Sequence, residues 1–217
     1  MIKLLILDFD GTLADTQELI VRTNQEAMRQ LGYPVQDAQT IIDTIGLPLE
    51  EGILTMFPDL PHEALPQWVK VYRTVFYGLK EQIGPQLFPG VKETLAQLHA
   101  EGHLISVASS RLSISLNAFL EEMGLMPYIC YVLGADNVTK AKPDPEPVLK
   151  TLRDLHVPAR EALVVGDMPV DIQMGLGAGA YTCGVSYGNS NREALKKTGA
   201  HRVVDLFSEI PLLLSSL

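Results

Sequence analysis

Leu4-Leu5-Ile6-Leu7-Asp8-Phe9-Asp10-Gly11-Thr12-Leu13 decides the fold class. Leu4 to Leu7 form a continuous apolar run, the pattern of a central parallel strand buried on both faces. The run ends abruptly at an acid. Similar runs recur at residues 104–108, 128–133, 162–165 and 180–185, with a short last one at 202–204. Helical patterns lie between them. Val91, Leu95 and Leu98 precede Gly102; Leu116, Phe119, Leu120 and Met123 precede Gly124; Val148, Leu149, Leu152 and Leu155 follow Pro145 and Pro147. Strand and helix alternate, which predicts an α/β fold: a parallel, Rossmann-like sheet with helices on both faces.

One block breaks the alternation. From about residue 15 to residue 84 there is no buried strand pattern. Helical spacing appears at 19–31 before Gly32, at 40–45 before Gly46, from Pro48 onward and across 62–78. This predicts an inserted all-helical cap over residues 15–83, on an α/β catalytic core of residues 1–14 and 84–217, with hinges near residues 14–16 and 84–89. Trp68, Tyr72, Phe76 and Leu79 lie at helical spacing and are expected to build the core of that insert rather than to stack on a ligand.

The bulk numbers narrow the function. The 217 residues are enough for a core plus a smaller subdomain, and 47% hydrophobic with 20% charged residues is an ordinary globular balance. A net charge of −9 argues against nucleic acid and against an anionic membrane surface, both of which call for a basic patch. A small phosphorylated metabolite remains compatible, because a metal ion and a few basic groups invert the local field. The run ending at Asp8 is too short for a signal peptide, and Cys130 and Cys183 lack metal-type spacing and read as two buried thiols. The expectation is a cytoplasmic protein, monomeric or homodimeric.

In open α/β sheets, sites form beyond the carboxyl ends of the strands. Asp8 and Asp10 follow the first strand, Ser109-Ser110-Arg111 the second, and Gly166-Asp167-Met168-Pro169-Val170-Asp171 the strand over 162–165; Lys142-Pro143-Asp144 precedes a helix. Asp8 and Asp10, two apart on an extended segment, are expected to project to one side, where their repulsion favours a cation. Asp167 adds a third hard oxygen ligand, which suits magnesium. Such an ion would neutralise phosphate charge and let one carboxylate attack phosphorus while the other moves protons. Lys142 and the Ser109 hydroxyl would hold the transferring group.

The order and spacing of these segments resemble the four motifs of the haloacid-dehalogenase superfamily, over essentially the whole chain. Asp8-Phe9-Asp10-Gly11-Thr12 is similar to its first motif, Ser109 to the second, Lys142 to the third, and Asp167 with Asp171 to the fourth. The resemblance implies Asp8 as nucleophile, Asp10 as acid and base, and magnesium held by Asp8, Asp167 and the backbone carbonyl of Asp10, with Asp171 orienting water ligands or Lys142. The helical insert after the first motif resembles that of the phosphoglycolate phosphatase and β-phosphoglucomutase branch. The second aspartate, absent from the dehalogenases, points to phosphoryl transfer: hydrolysis of a small phosphomonoester, with a phosphosugar mutase as the alternative. A signal receiver domain is a third reading, disfavoured because it is about half this length and carries its phosphorylated aspartate on an internal strand.

Around this set the residues allow more than one role. Ser109 or Ser110 could cap a following helix, and the Ser110 amide could face phosphate at that helix's N-terminal end. Arg111 could touch substrate or be a solvated arginine at a helix start. Thr12 is a candidate at the substrate. Gly46-Leu47-Pro48, Arg22 and Asn24 are candidate specificity residues of the insert. Gly175-Leu176-Gly177-Ala178-Gly179 precedes a strand rather than following one, so a dinucleotide loop is excluded on context and close helix packing is expected.

Overall fold

The structure, a computed structural model, describes residues 1–214. In chain order its elements are β1 (Leu4–Leu7), β2 (Ala14–Asp15), α1 (Gln17–Leu31), α2 (Ala38–Ile42), α3 (Leu49–Met56), α4 (Leu65–Ile83), β3 (Gln86–Leu87), α5 (Val91–Ala100) and β4 (Leu104–Ala108). There follow α6 (Ser113–Glu122), β5 (Tyr131–Leu133), α7 (Glu146–Asp154), β6 (Ala162–Gly166), α8 (Pro169–Gly177), β7 (Tyr181–Val185), α9 (Arg192–Lys197), β8 (Arg202–Val204) and α10 (Ile210–Leu214).

Six strands form one parallel sheet in the order β5-β4-β1-β6-β7-β8. The apolar run that opens the chain lies inside it. Leu5 and Leu7 face one side with Leu95, Leu98, Leu116 and Phe119, while Leu4 and Ile6 face the other with Val148, Leu152 and Met174. Burial on both faces is why β1 shows no polar alternation, and each such side chain contributes about 2 kcal/mol. In the central register Leu7 pairs with both Val107 and Val165. Residues just past these positions therefore emerge together at one edge of the sheet.

Residues 17–83 are helical and carry their own apolar cluster around Met28, Ile41, Ile53, Leu65 and Trp68. Trp68 is 4.6 Å from the Tyr33 ring and 5.0 Å from that of Phe57. Helix α1 stops at Gly32, whose φ of 75° suits glycine. Helix α4 runs past residue 78, where the helical spacing read from the sequence ends; Gly78 is exposed with nothing crowding it and costs only about 1 kcal/mol. The aromatic stripe on α4 divides. Trp68 belongs to the helical cluster, whereas Phe76 joins the core beside Phe119, with Tyr72 packed against it. The chain enters and leaves the helical segment through a two-residue antiparallel ribbon, Ala14 beside Leu87 and Asp15 beside Gln86, too short to leave a sequence pattern.

Two smaller expectations need correction. The 128–133 run starts its strand only at Tyr131, after a short 3-10 turn over Met126–Tyr128. Cys183 is buried, but Cys130 is exposed at the head of that strand.

Candidate active site

Asp8 follows β1 directly, its N–H donating to the Val165 carbonyl at 2.9 Å, and Ser109 follows β4, its N–H donating to the Leu133 carbonyl at 3.0 Å. Asp167 follows β6, and Asp171 sits in the first turn of α8. Lys142 reaches this group across the sheet edge. Its Nζ donates to Asp8 Oδ1 at 2.5 Å and to Asp171 Oδ1 at 2.7 Å, and all three side chains are buried. Asp171 Oδ2 also accepts the Met168 N–H at 3.0 Å, which caps α8 and fixes the carboxylate.

Asp167 is held by a separate set of donors. Thr12 Oγ1 donates to its Oδ1 at 3.1 Å, while the Asn189 N–H and Nδ2 donate to its Oδ2 at 2.7 and 2.8 Å. Gly11 makes this convergence possible. Its φ is +84°, and a Cβ there would lie 2.2 Å from both Asp167 Oδ2 and Asn189 Nδ2.

The model of the haloacid dehalogenase-like hydrolase family matches residues 5–185. The chain belongs to this family. It is 39% identical over 216 residues to the Dickeya dadantii protein named "Probable phosphatase IndB", covering 97% of this chain and 92% of that one. It is 31% identical over 204 residues to a Vibrio cholerae phosphoglycolate phosphatase, covering 89% and 88% respectively. A solved hydrolase from Pseudomonas syringae shares the fold, with a TM-score of 0.88 at 24% identity over 98% of either chain. Within the haloacid dehalogenase-like hydrolases the chain falls in the phosphoglycolate phosphatase-like branch.

The electrostatics of this haloacid dehalogenase-like site are unbalanced. Asp8, Asp167 and Asp171 offer carboxylate oxygens within 4.8 Å of one another. Among the described residues Lys142 is the cation paired within this set, to Asp8 and Asp171, so three carboxylates against one ammonium leave two formal negative charges without a paired cation. Burial, only partly offset by Lys142, raises the Asp8 carboxyl well above its ordinary value, and the neighbouring acids push it the same way. Burial and Asp171 push Asp167 up to about 7 against its hydrogen-bond donors. Burial disfavours the Lys142 ammonium, but Asp171 and Asp8 outweigh it and raise its pKa. A buried set of hard oxygen donors with excess negative charge fits a divalent cation.

Asp10 lines the same cavity as Asp8, but its side chain does not join the metal-type cluster. Strand β1 stops at Leu7, and Asp10 lies in the turn beyond, outside the three-carboxylate cluster. Its Oδ1 accepts the Thr16 hydroxyl at 2.6 Å. Arg111 grips both oxygens, through Nε at 2.7 Å and Nη2 at 2.5 Å. Arg111 is therefore not a solvated arginine. Its guanidinium is largely buried and lies 4.6 Å from the Phe119 ring centroid and 5.1 Å from that of Phe76.

Neither serine caps a helix. Helix α6 begins at Ser113, whose N–H and hydroxyl are both bound at 2.6 Å by Asp136 from another loop, so the Ser110 amide is not at its N-terminus. Ser109 Oγ accepts the Arg111 N–H at 3.2 Å, and Ser110 Oγ donates to the Gly46 carbonyl at 2.6 Å. The latter bond ties the helical segment to the sheet edge. Above Asp8 and Asp10 lies a cavity of about 450 Å³, walled by Ser109, Ser110, Gly46, Asn24 and apolar side chains of α4 and α6. Thr12 is not among the wall residues; it is fully buried, and its hydroxyl supports Asp167. Arg22 is also outside, paired on the surface with Glu18. Gly175 packs α8 onto β7, where a Cβ would meet Thr182 at 2.6 Å.

Asn189 was not legible in advance. Gly188-Asn189 follows β7, the next strand along the same edge, and a turn dipeptide at a strand's carboxyl end is the one signal that could have marked it.

Proposed function

We propose that the protein is a magnesium-dependent phosphatase that hydrolyses a small phosphorylated metabolite through an aspartyl-phosphate at Asp8. The observation carrying this reading is the pairing of buried Asp8, which lines the cavity, with Lys142 at 2.5 Å, beside Asp167 and Asp171.

In the first step an Asp8 oxygen forms a bond to phosphorus as the bond to the leaving oxygen breaks. Asp10 gives its proton to that leaving oxygen. In the second, Asp10 takes a proton from water, whose oxygen attacks phosphorus and frees Asp8 with release of inorganic phosphate. Lys142 and Ser109 hold the non-bridging oxygens in both steps. Asp171 and Asp8 fix the Lys142 ammonium where it is needed. Asp8, Asp167 and the Asp10 backbone carbonyl would hold magnesium, which supplies charge neutralisation for the transferring phosphoryl group.

Residues 15–83 serve as a cap on a core of residues 1–14 and 84–217. The ribbon at residues 14–15 and 86–87 acts as the hinge, and the bond from Ser110 to Gly46 supports a closed position. Among the described residues no helix is long and apolar enough to cross a membrane.

The test is steady-state turnover of p-nitrophenyl phosphate with magnesium, and of the same substrate by Asp8→Asn. Turnover by the parent and none by the variant is expected, since an amide is a poor nucleophile. Full activity of Asp8→Asn would overturn the mechanism. Glucose 1-phosphate yielding inorganic phosphate rather than glucose 6-phosphate separates hydrolysis from a mutase.

A further inference from the structure

The cavity is too large, and too poor in available charge, for a leaving group as small and anionic as glycolate. Its volume of about 450 Å³ falls in the range that encloses an organic ligand of many atoms. Much of its wall is apolar. Tyr72 and Phe76 are near-parallel, 22° apart with centroids 6.0 Å from one another, and both line it. At the mouth, Tyr77 on α4 and Ile114 on α6 are 55% and 77% exposed. With Tyr72 and Phe76, these side chains give the wall an apolar, aromatic stretch that suits a flat ring.

The polar groups of the wall point the same way. Two cations line the cavity, Arg73 and Arg111. Arg111 is committed to Asp10 by two bonds. Arg73 is exposed, as are the acids Glu50 and Glu51 of the same wall. An anionic leaving group would therefore meet no unpaired buried cation among the described residues of the wall. Asn24 supplies the opposite kind of contact. It is 4% exposed, and its Nδ2 donates to the Ile20 carbonyl at 3.0 Å, which settles the amide's orientation. Its Oδ1 is buried with no hydrogen-bond partner. A buried acceptor left unpaired costs about 1–3 kcal/mol, which a donor on the ligand removes.

Resting on Asp8 as the phosphatase nucleophile, we infer that the substrate is a phosphomonoester of a neutral, ring-bearing alcohol with a hydrogen-bond donor, of the nucleoside type. A 2-phosphoglycolate or a pyrophosphate, with a second anionic group in place of the ring, is disfavoured at the same site.

Values of kcat/KM for uridine and adenosine 5′-monophosphates, 2-phosphoglycolate, pyrophosphate and p-nitrophenyl phosphate, measured on the full chain with magnesium, decide this. At least one nucleotide should exceed 2-phosphoglycolate and pyrophosphate by about tenfold or more. Asn24→Leu should lower the nucleotide to nitrophenyl phosphate ratio by about tenfold. Ile114→Ser, at an exposed position where folding is not at stake, should lower the nucleotide to 2-phosphoglycolate ratio by about threefold. Turnover of p-nitrophenyl phosphate with 2-phosphoglycolate or pyrophosphate equal to or above both nucleotides would overturn the inference and leave the phosphatase standing. An unmoved ratio in both variants would also overturn it. Failure on every substrate would remove the phosphatase itself, and the inference with it.

Discussion

Arg111 closes a two-point ion pair on Asp10, Nε to Oδ2 at 2.7 Å and Nη2 to Oδ1 at 2.5 Å, and Thr16 adds a third donor to the same carboxylate. The pair holds Asp10, which lines the cavity, outside the acidic cluster. Arg111→Ala should leave Asp10 in place but less firmly held. The expected loss in kcat is about 10- to 100-fold with an alkyl phosphate, where the leaving oxygen needs a proton. Arg111→Lys should recover little of it, since an ammonium cannot make the two-point contact. Steady-state kinetics of both variants check this; full rescue by lysine would show that charge alone matters.

Asp10 and Lys142 should fail in different ways. Nitrophenolate leaves without a proton, so Asp10→Asn should complete the first step on p-nitrophenyl phosphate and stall before water attack. Lys142→Ala removes the charge on the transferring group in both steps and should slow each by about 100-fold or more, with no burst. Rapid mixing with detection of nitrophenolate distinguishes them. Equal burst amplitudes in the two variants would mean that at least one role is misassigned.

Magnesium should stabilise the fold, because it offsets the two uncompensated charges among Asp8, Asp167 and Asp171. At a hundred times its dissociation constant it should add about 2.7 kcal/mol, a rise in Tm of roughly 5–10 °C for a chain of this size. Asp167→Ala should abolish the rise. Asn189→Ala, which strips two donors from Asp167 Oδ2, should shrink it. Thermal unfolding with magnesium and with chelator reads the effect without any substrate; equal shifts in the parent and Asp167→Ala would count against a metal there.

At Gly46 the helical segment packs closely against the core. Its φ is +96°, a Cβ would sit 3.0 Å from Val170 Cγ2, and its carbonyl accepts the Ser110 hydroxyl at 2.6 Å. Gly46→Ala should therefore cost about 1–2 kcal/mol in urea unfolding and raise KM, through strain at a left-handed position. Ser110→Ala should raise KM with a smaller loss of stability, about 1 kcal/mol. A neutral outcome for Gly46→Ala would show that the 44–48 loop adjusts freely.

Much of this molecule was legible in its sequence, and for local reasons. An apolar run ending at Asp8, with similar runs at regular intervals, can satisfy its burial only in the middle of a parallel sheet. In such a sheet the residues past the strand ends, Asp8, Ser109 and Asp167, must share an edge. The absence of strand patterns from residue 15 to residue 84 likewise left only helices there. What depended on through-space partners was not legible. Arg111 has the sequence context of a solvated helix start, yet α6 begins two residues later, capped by Asp136, and the arginine turns inward to Asp10 over Phe119. Asp10 lines the cavity with Asp8 as the spacing implies, yet its carboxylate is held by Arg111 and Thr16 rather than by the acidic cluster.

The motif order thus determined the sheet, its edge and the chemical character of the site, because each rests on periodicity and on residues fixed to the end of their own strand. Only the tertiary structure decided which donors hold each carboxylate and which side chains wall the cavity above Asp8. Asn189 reaches Asp167 across 22 residues, Lys142 reaches Asp8 across 134, and the cavity is walled by α4 and α6 from opposite sides of the ribbon. Such contacts are set by where loops meet once the core has packed, and packing energy belongs to the assembled whole rather than to any segment of the chain.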